Sequence, residues 1–250
     1  MEFTLSKFNP AEAKKNCIWL LIGPRNTGKS VLLKDLLYHT HTNYDFGMAM
    51  TATVSTVDTL KEIFPHKLIY TNGYDFSKGD QFLASCKKMV QDRKDRKCLL
   101  VLDDCMFDGS VMKTETQKNL HLNGRHYNTT IMNTTQYCMI IPTQIRSNVD
   151  YVFALSDNIT SNRRKLFEYF YGMFDSYKTF DKIFSKVTEQ YGALVIDRTA
   201  KGTGKLEDCI KWYRAAPDTP SFKIGKPIFF RLSSKKSDKD KEDNLRVKTS

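Results

Sequence analysis

Eight residues constrain this chain more than any others: Gly23, Pro24, Arg25, Asn26, Thr27, Gly28, Lys29 and Ser30. They stand between an unbroken apolar run, residues 17–22, and a segment with apolar residues at helical spacing, 30–39. The spacing is G-x-x-x-x-G-K-[ST], and a strand before with a helix after is the setting a phosphate-binding Walker A loop requires. Glycines let such a loop curl until successive N–H groups face inward onto phosphate oxygens. The helix that follows adds the positive end of its dipole. Lys29 is then placed to reach the β- and γ-phosphates of ATP, and the Ser30 hydroxyl to ligate Mg²⁺.

A second element meets the first at that phosphate. Residues 98–104 read Cys-Leu-Leu-Val-Leu-Asp-Asp, an apolar strand ending in acids, the form of a Walker B strand. Asp103 would hold Mg²⁺ through water, because Mg²⁺ dehydrates reluctantly. Asp104, one residue on, points elsewhere by strand alternation and would orient the attacking water. Residues 129–136, Thr-Thr-Ile-Met-Asn-Thr-Thr-Gln, form a further strand that ends in a polar side chain. If this strand neighbours the Walker B strand, Gln136 faces the γ-phosphate.

The rest of the pattern alternates. Strands are expected at 3–8, 17–22, 45–52, 68–70, 98–102, 129–135, 151–155 and 193–197. Helices are expected at 30–39, 57–64, 76–91, 112–122, 162–174 and 177–189. Such alternation gives an α/β fold: a central, mostly parallel sheet flanked by helices, with the strand-end loops gathered on one edge. Residues 1–16 read as a lead-in, 17–232 as the ATPase domain, and 233–250 as a disordered charged tail. No stretch approaches the ~20 apolar residues of a membrane span. The first ten residues lack the layout of a secretion signal. Six cysteines without a C-x-x-C pair read as reduced thiols rather than a zinc site.

Charge points to an anionic partner. The net charge is +11, and the tail, with six Lys/Arg against four acids, holds only +2 of it, which leaves +9 on the body. Residues 198–231 carry eight Lys/Arg against three acids among aromatic residues, a mixture that suits either a nucleic-acid track or a surface flap. The basic residues between Lys87 and Lys97 read as a solvated helix end. Charge on a transferring phosphoryl group must be neutralised, and an arginine from a neighbouring subunit can do that. Arg125 and Arg146 both precede strands and are the candidates; Arg163 and Arg164 open a helix, and Arg25 lies in the loop itself. His126 reads as structural, and Asp108 and Glu115 as acids without a defined role.

Four segments in order, GPRNTGKS, CLLVLDD, GRHYNTTIMNTTQY and IRSNVDYVFAL, resemble the genome-packaging ATPases of large DNA viruses, in the FtsK–HerA branch of P-loop NTPases. The resemblance covers about residues 15–200. It implies a ring-shaped homo-oligomer, pentameric or hexameric, that uses ATP and Mg²⁺ to drive double-stranded DNA into a preformed capsid, with capsid or portal-like vertex proteins as partners. It also implies a place in the host cytoplasm, at the virus factory, or in the virion. In its terms Lys29 and Ser30 bind nucleotide, Asp103 is the Mg²⁺ acid, Asp104 the catalytic acid and Gln136 the sensor, while Arg125 and Arg146 lie in family-like motifs. Much of the wider superfamily has Glu where this chain has Asp104, one methylene shorter. The other readings are a HerA-like translocase or helicase, a nucleotide-dependent switch, and a small-molecule kinase with Arg163 and Arg164 as its lid.

Overall fold

The computed structural model describes residues 4–105, 109–200 and 205–234. The described strands form one nine-stranded sheet. In chain order they are β1 (Ser6–Lys7), β2 (Ile18–Ile22), β3 (Phe46–Thr51), β4 (Ile69–Tyr70), β5 (Cys98–Asp103), β6 (Thr129–Thr135), β7 (Tyr151–Leu155), β8 (Gly192–Asp197) and β9 (Ile210–Arg214). Their order across the sheet is β1-β9-β8-β7-β2-β6-β5-β3-β4. All run parallel except β8, which is antiparallel to both β7 and β9. The central strands are wholly buried, and β2, β5 and β7 read as apolar runs, as a sheet covered on both faces demands; β6 is buried but rich in threonine.

The helices that frame the sheet are α1 (Lys29–Thr40), α2 (Val54–Ile63), α3 (Phe76–Gln91), α4 (Glu115–Asn123), α5 (Thr143–Arg146), α6 (Thr160–Phe170), α7 (Tyr177–Val187) and α8 (Leu206–Cys209). On one face α1 lays Leu32, Leu33, Leu36 and Leu37 against Trp19, Leu21, Val101 and Phe153. Each of those leucines contributes about 1.5–3 kcal/mol by its burial. The other face carries two packed regions: α6 and α7 cover β7 and β8, and α3 and α4 cover β3 and β5. Among the described residues no helix is long and apolar enough to cross a membrane.

Four features depart from the sequence pattern. The expected helix at 112–122 is split: a 3-10 turn (Val111–Lys113) precedes α4, because the Thr114 hydroxyl caps α4 by accepting from the Gln117 N–H at 3.3 Å. β9 and the short α5 and α8 are additional. β8 is reversed because two helices, α6 and α7, separate it from β7. One helix returns the chain to the edge it left, whereas a second carries it back, so the next strand starts where β7 ended. The lead-in is part of the sheet, with β1 pairing with β9 and Phe8 buried against Trp19, Tyr151 and Phe153. The expected tail lies outside the described residues from 235 onward, as does Asp108.

Candidate active site

β6 lies between β2 and β5 in the sheet, so the loops after these three strands adjoin. The loop after β2 begins where the Gly23 N–H donates to the Thr135 carbonyl at the end of β6 (3.1 Å). Asn26 and Gly28 both take positive φ, +63° and +92°. That curl suits glycine, and Gly28 leads directly into α1. The Thr27 hydroxyl closes the loop onto the Pro24 carbonyl at 2.8 Å. Arg25, Asn26 and Ser30 are exposed, while Lys29 is only 7% exposed.

Lys29 is held inside the turn. Its ammonium donates to the Gly23 carbonyl at 2.9 Å and lies 3.7 Å from Asp104 Oδ2. The buried cation is therefore matched by a carbonyl and a carboxylate, as a desolvated charge requires. Gln136, one residue beyond β6, donates through Nε2 to the same Asp104 oxygen at 3.3 Å. Residues from three neighbouring strand ends thus converge on one point.

Asp103 is 2% exposed and fixed from both sides. The Thr51 hydroxyl donates to Oδ2 at 2.9 Å and the Thr134 hydroxyl to Oδ1 at 2.7 Å. Thr51, Asp103 and Thr134 are register partners on β3, β5 and β6, so the three side chains form one row across the sheet. The Asp104 N–H donates to Thr134 Oγ1 at 2.9 Å, and Asp104 itself takes φ +49°. This turn overrides the alternation expected from a continuing strand: Asp104 bends back toward Lys29 instead of pointing away. Thr51 and Thr134 carry no motif of their own; Thr51 is marked as the polar residue closing an apolar strand, whereas Thr134 lies in a strand already rich in threonine.

The donor set fits a hard cation. The exposed Ser30 hydroxyl and the Asp103 carboxylate are oxygen ligands of the kind Mg²⁺ takes, and each carboxylate oxygen keeps a second lone pair beyond its threonine. Among the described residues no cluster of three or more His, Cys, Asp or Glu could hold a metal by itself. A cation here would take its remaining ligands from phosphate oxygens and water.

The arginines lie elsewhere. Arg125 is exposed in the 3-10 turn Gly124–Tyr127, just before β6, so it occupies the edge of the sheet opposite the phosphate loop. Arg146 ends α5 ahead of β7, with its guanidinium stacked 3.9 Å above the Tyr169 ring and donating to Thr143 Oγ1 at 2.7 Å. Neither reaches this chain's own loop. Arg163 is paired with Asp181 at 2.6 Å and Arg164 lies over the Tyr177 ring at 4.4 Å, so α7 engages both residues offered as a kinase lid. His126 is exposed, and the buried histidine is His121.

A phosphate loop, a row-anchored acid and an intervening polar strand end on one edge of a parallel sheet define a P-loop ATPase. The family model described as "Poxvirus A32 protein" matches residues 6–169; the chain belongs to that family and, with it, to the genome-packaging ATPases. An uncharacterized protein, 088R, of Invertebrate iridescent virus 3 is 28% identical over 195 residues, covering 78% of this chain and 74% of that one. An uncharacterized protein of Acanthamoeba polyphaga mimivirus is 28% identical over 215 residues, covering 81% of this chain and 74% of its own. Among solved structures, the genome packaging NTPase B204 of Sulfolobus turreted icosahedral virus 2, in complex with AMPPCP, superposes with a TM-score of 0.56 at 14% identity. It covers 84% of this chain and 100% of its own, a likeness of fold.

Proposed function

We propose that the protein is the motor subunit that couples ATP hydrolysis to movement of double-stranded DNA into a viral capsid. The observation that carries this reading is the meeting of Lys29, Asp104 and Gln136 from three adjacent strand ends, beside an Asp103 locked in place by two threonines. ATP would lie along Gly23–Ser30, and Mg²⁺, held by Ser30 and Asp103, would neutralise charge on the β- and γ-phosphates. Lys29 moves from the Gly23 carbonyl and Asp104 to the phosphates as they enter. Asp104, released from that ion pair, orients the attacking water and accepts its proton. Gln136 stays bonded to Asp104 and senses whether the γ-phosphate is present.

Charge on the transferring group calls for an arginine, and Arg125 is the residue we assign. It is exposed on the edge opposite the phosphate loop, where a head-to-tail neighbour would meet it. Arg146 is held by Tyr169 and Thr143. The assembly is a closed ring of identical subunits, pentameric or hexameric, acting on DNA at a capsid vertex in the host cytoplasm or virion. Release of the γ-phosphate shifts the loops at the strand ends, and differential DNA grip in the ATP and ADP states gives motion.

The test is the ATPase rate with and without double-stranded DNA. Stimulation that weakens steeply with salt is expected. A rate indifferent to DNA but raised by a small phosphoryl acceptor would replace the motor with a kinase.

A further inference from the structure

Tyr191 is an aromatic residue that the proposed mechanism leaves unused. It immediately precedes β8, and because β8 alone among the described strands runs against the others, its first residue lies on the edge where they end. The Tyr191 ring therefore sits against the phosphate loop: a methyl placed on Gly28 would lie 3.2 Å from Cδ1 and 3.7 Å from Cγ. Despite that contact the side chain is 68% exposed.

The backbone is held in an unfavourable shape to put it there. Gln190 and Tyr191 both take positive φ, +50° and +62°, a conformation that is an outlier for a bulky side chain. Two contacts hold this turn. Arg214, the register partner of Gly192, donates to the Glu189 carbonyl at 3.3 Å. Gly192 admits no side chain, since a Cβ would fall 2.0 Å from the Val187 carbonyl oxygen. Strain of this kind persists where the surroundings enforce it, and it gathers at functional sites.

The place of the ring matches one part of a nucleotide. The loop's N–H groups would cradle the α- and β-phosphates and Lys29 would reach the β- and γ-phosphates, so ribose and base would extend outward past the loop. Val31, in the first turn of α1, is 43% exposed. An exposed ring and an exposed aliphatic side chain flank the start of the helix, as a flat apolar group requires.

We infer that the Tyr191 ring is the stacking platform for the nucleobase, with Val31 as its apolar neighbour. This rests on the ATPase reading above. The ring's face, not its hydroxyl, supplies the contact, and stacking has little preference among bases.

Calorimetric titration of the full chain with Mg²⁺, using ATP and inorganic tripolyphosphate as parallel ligands, tests this. Tripolyphosphate fills the loop but carries no base. Tyr191→Ala is expected to weaken ATP about tenfold, in the lower part of the range for one base on one aromatic ring. Tripolyphosphate affinity is expected to stay within about twofold, which also shows that the variant's loop is folded, and Tyr191→Phe to hold ATP as the wild type does. Unchanged ATP affinity in Tyr191→Ala, an equal loss for both ligands, or a Tyr191→Phe loss as large as that of alanine each overturns the platform. A wild-type protein that binds neither ligand overturns the ATPase reading, and the platform with it.

Discussion

His121 lies on α4, 1% exposed, with Nδ1 2.8 Å from the Gln117 carbonyl oxygen and Nε2 3.1 Å from Asn133 Nδ2. The hydrogen-bond geometry assigns a neutral ring that donates at Nδ1 and accepts the Asn133 amide at Nε2. Burial, only partly opposed by the bond to the Gln117 carbonyl, pushes its pKa down from 6.5 to about 4. The unfolded chain binds this proton more readily, so the contribution to stability is complete above about pH 6.5 and is lost as pH falls toward 4. The full loss corresponds to ~3 kcal/mol. Urea titrations at pH 7.5 and pH 4.5 should show wild type losing up to about that much relative to His121→Gln, which can hydrogen-bond but does not titrate. In the site, Asp104→Asn should keep ATP binding and slow turnover by about 10²–10⁴-fold, measured as single-turnover hydrolysis. Normal turnover would remove Asp104 from the proposed mechanism.

At the scale of elements, the row Thr51–Asp103–Thr134 joins β3, β5 and β6 at their ends. Thr134→Val removes the hydroxyl that donates to Asp103 and accepts from the Asp104 N–H. A loss of about 1–3 kcal/mol is expected in denaturant unfolding, because buried polar groups lose their partner. A higher Mg²⁺ concentration for half-maximal ATPase activity should accompany it, since Asp103 is then held from one side only, by Thr51. The parallel core is legible in the sequence: α3, β6 and β7 have the predicted limits, because long apolar or periodic runs bounded by turn residues carry their own punctuation. The convergence at the candidate site is legible too, since glycine spacing and a terminal acid are local signals. The reversal of β8 escapes that reading, although both helices before it are predicted and their even number implies it. β9, Ile-Lys-Trp-Tyr-Arg, breaks alternation and owes its place to pairing with β8 and to Tyr213, whose hydroxyl donates to buried Asp35 on α1. Such partners are remote in sequence. The same holds for Tyr191, which reaches Gly28 only through that tertiary path.

For the whole molecule, the two edges of the sheet differ. One carries the loop and its acids; the other presents Arg125 and the basic turn before β5, with Arg93 and Lys94 exposed on it. In the proposed ring, the arginine and the nucleotide it serves would belong to different subunits. Mixing wild type with an excess of Arg125→Ala should depress ATPase activity below the value for independent subunits, whereas Arg146→Ala should not act on its neighbours. Activity proportional to the wild-type fraction would remove Arg125 from the trans role. An unclosed arc of such subunits, however long, has a terminal member whose nucleotide no arginine serves. Only closure supplies that last partner, so encircling the duplex would itself complete the engine, and a fragment adrift in the cell would idle at its open end.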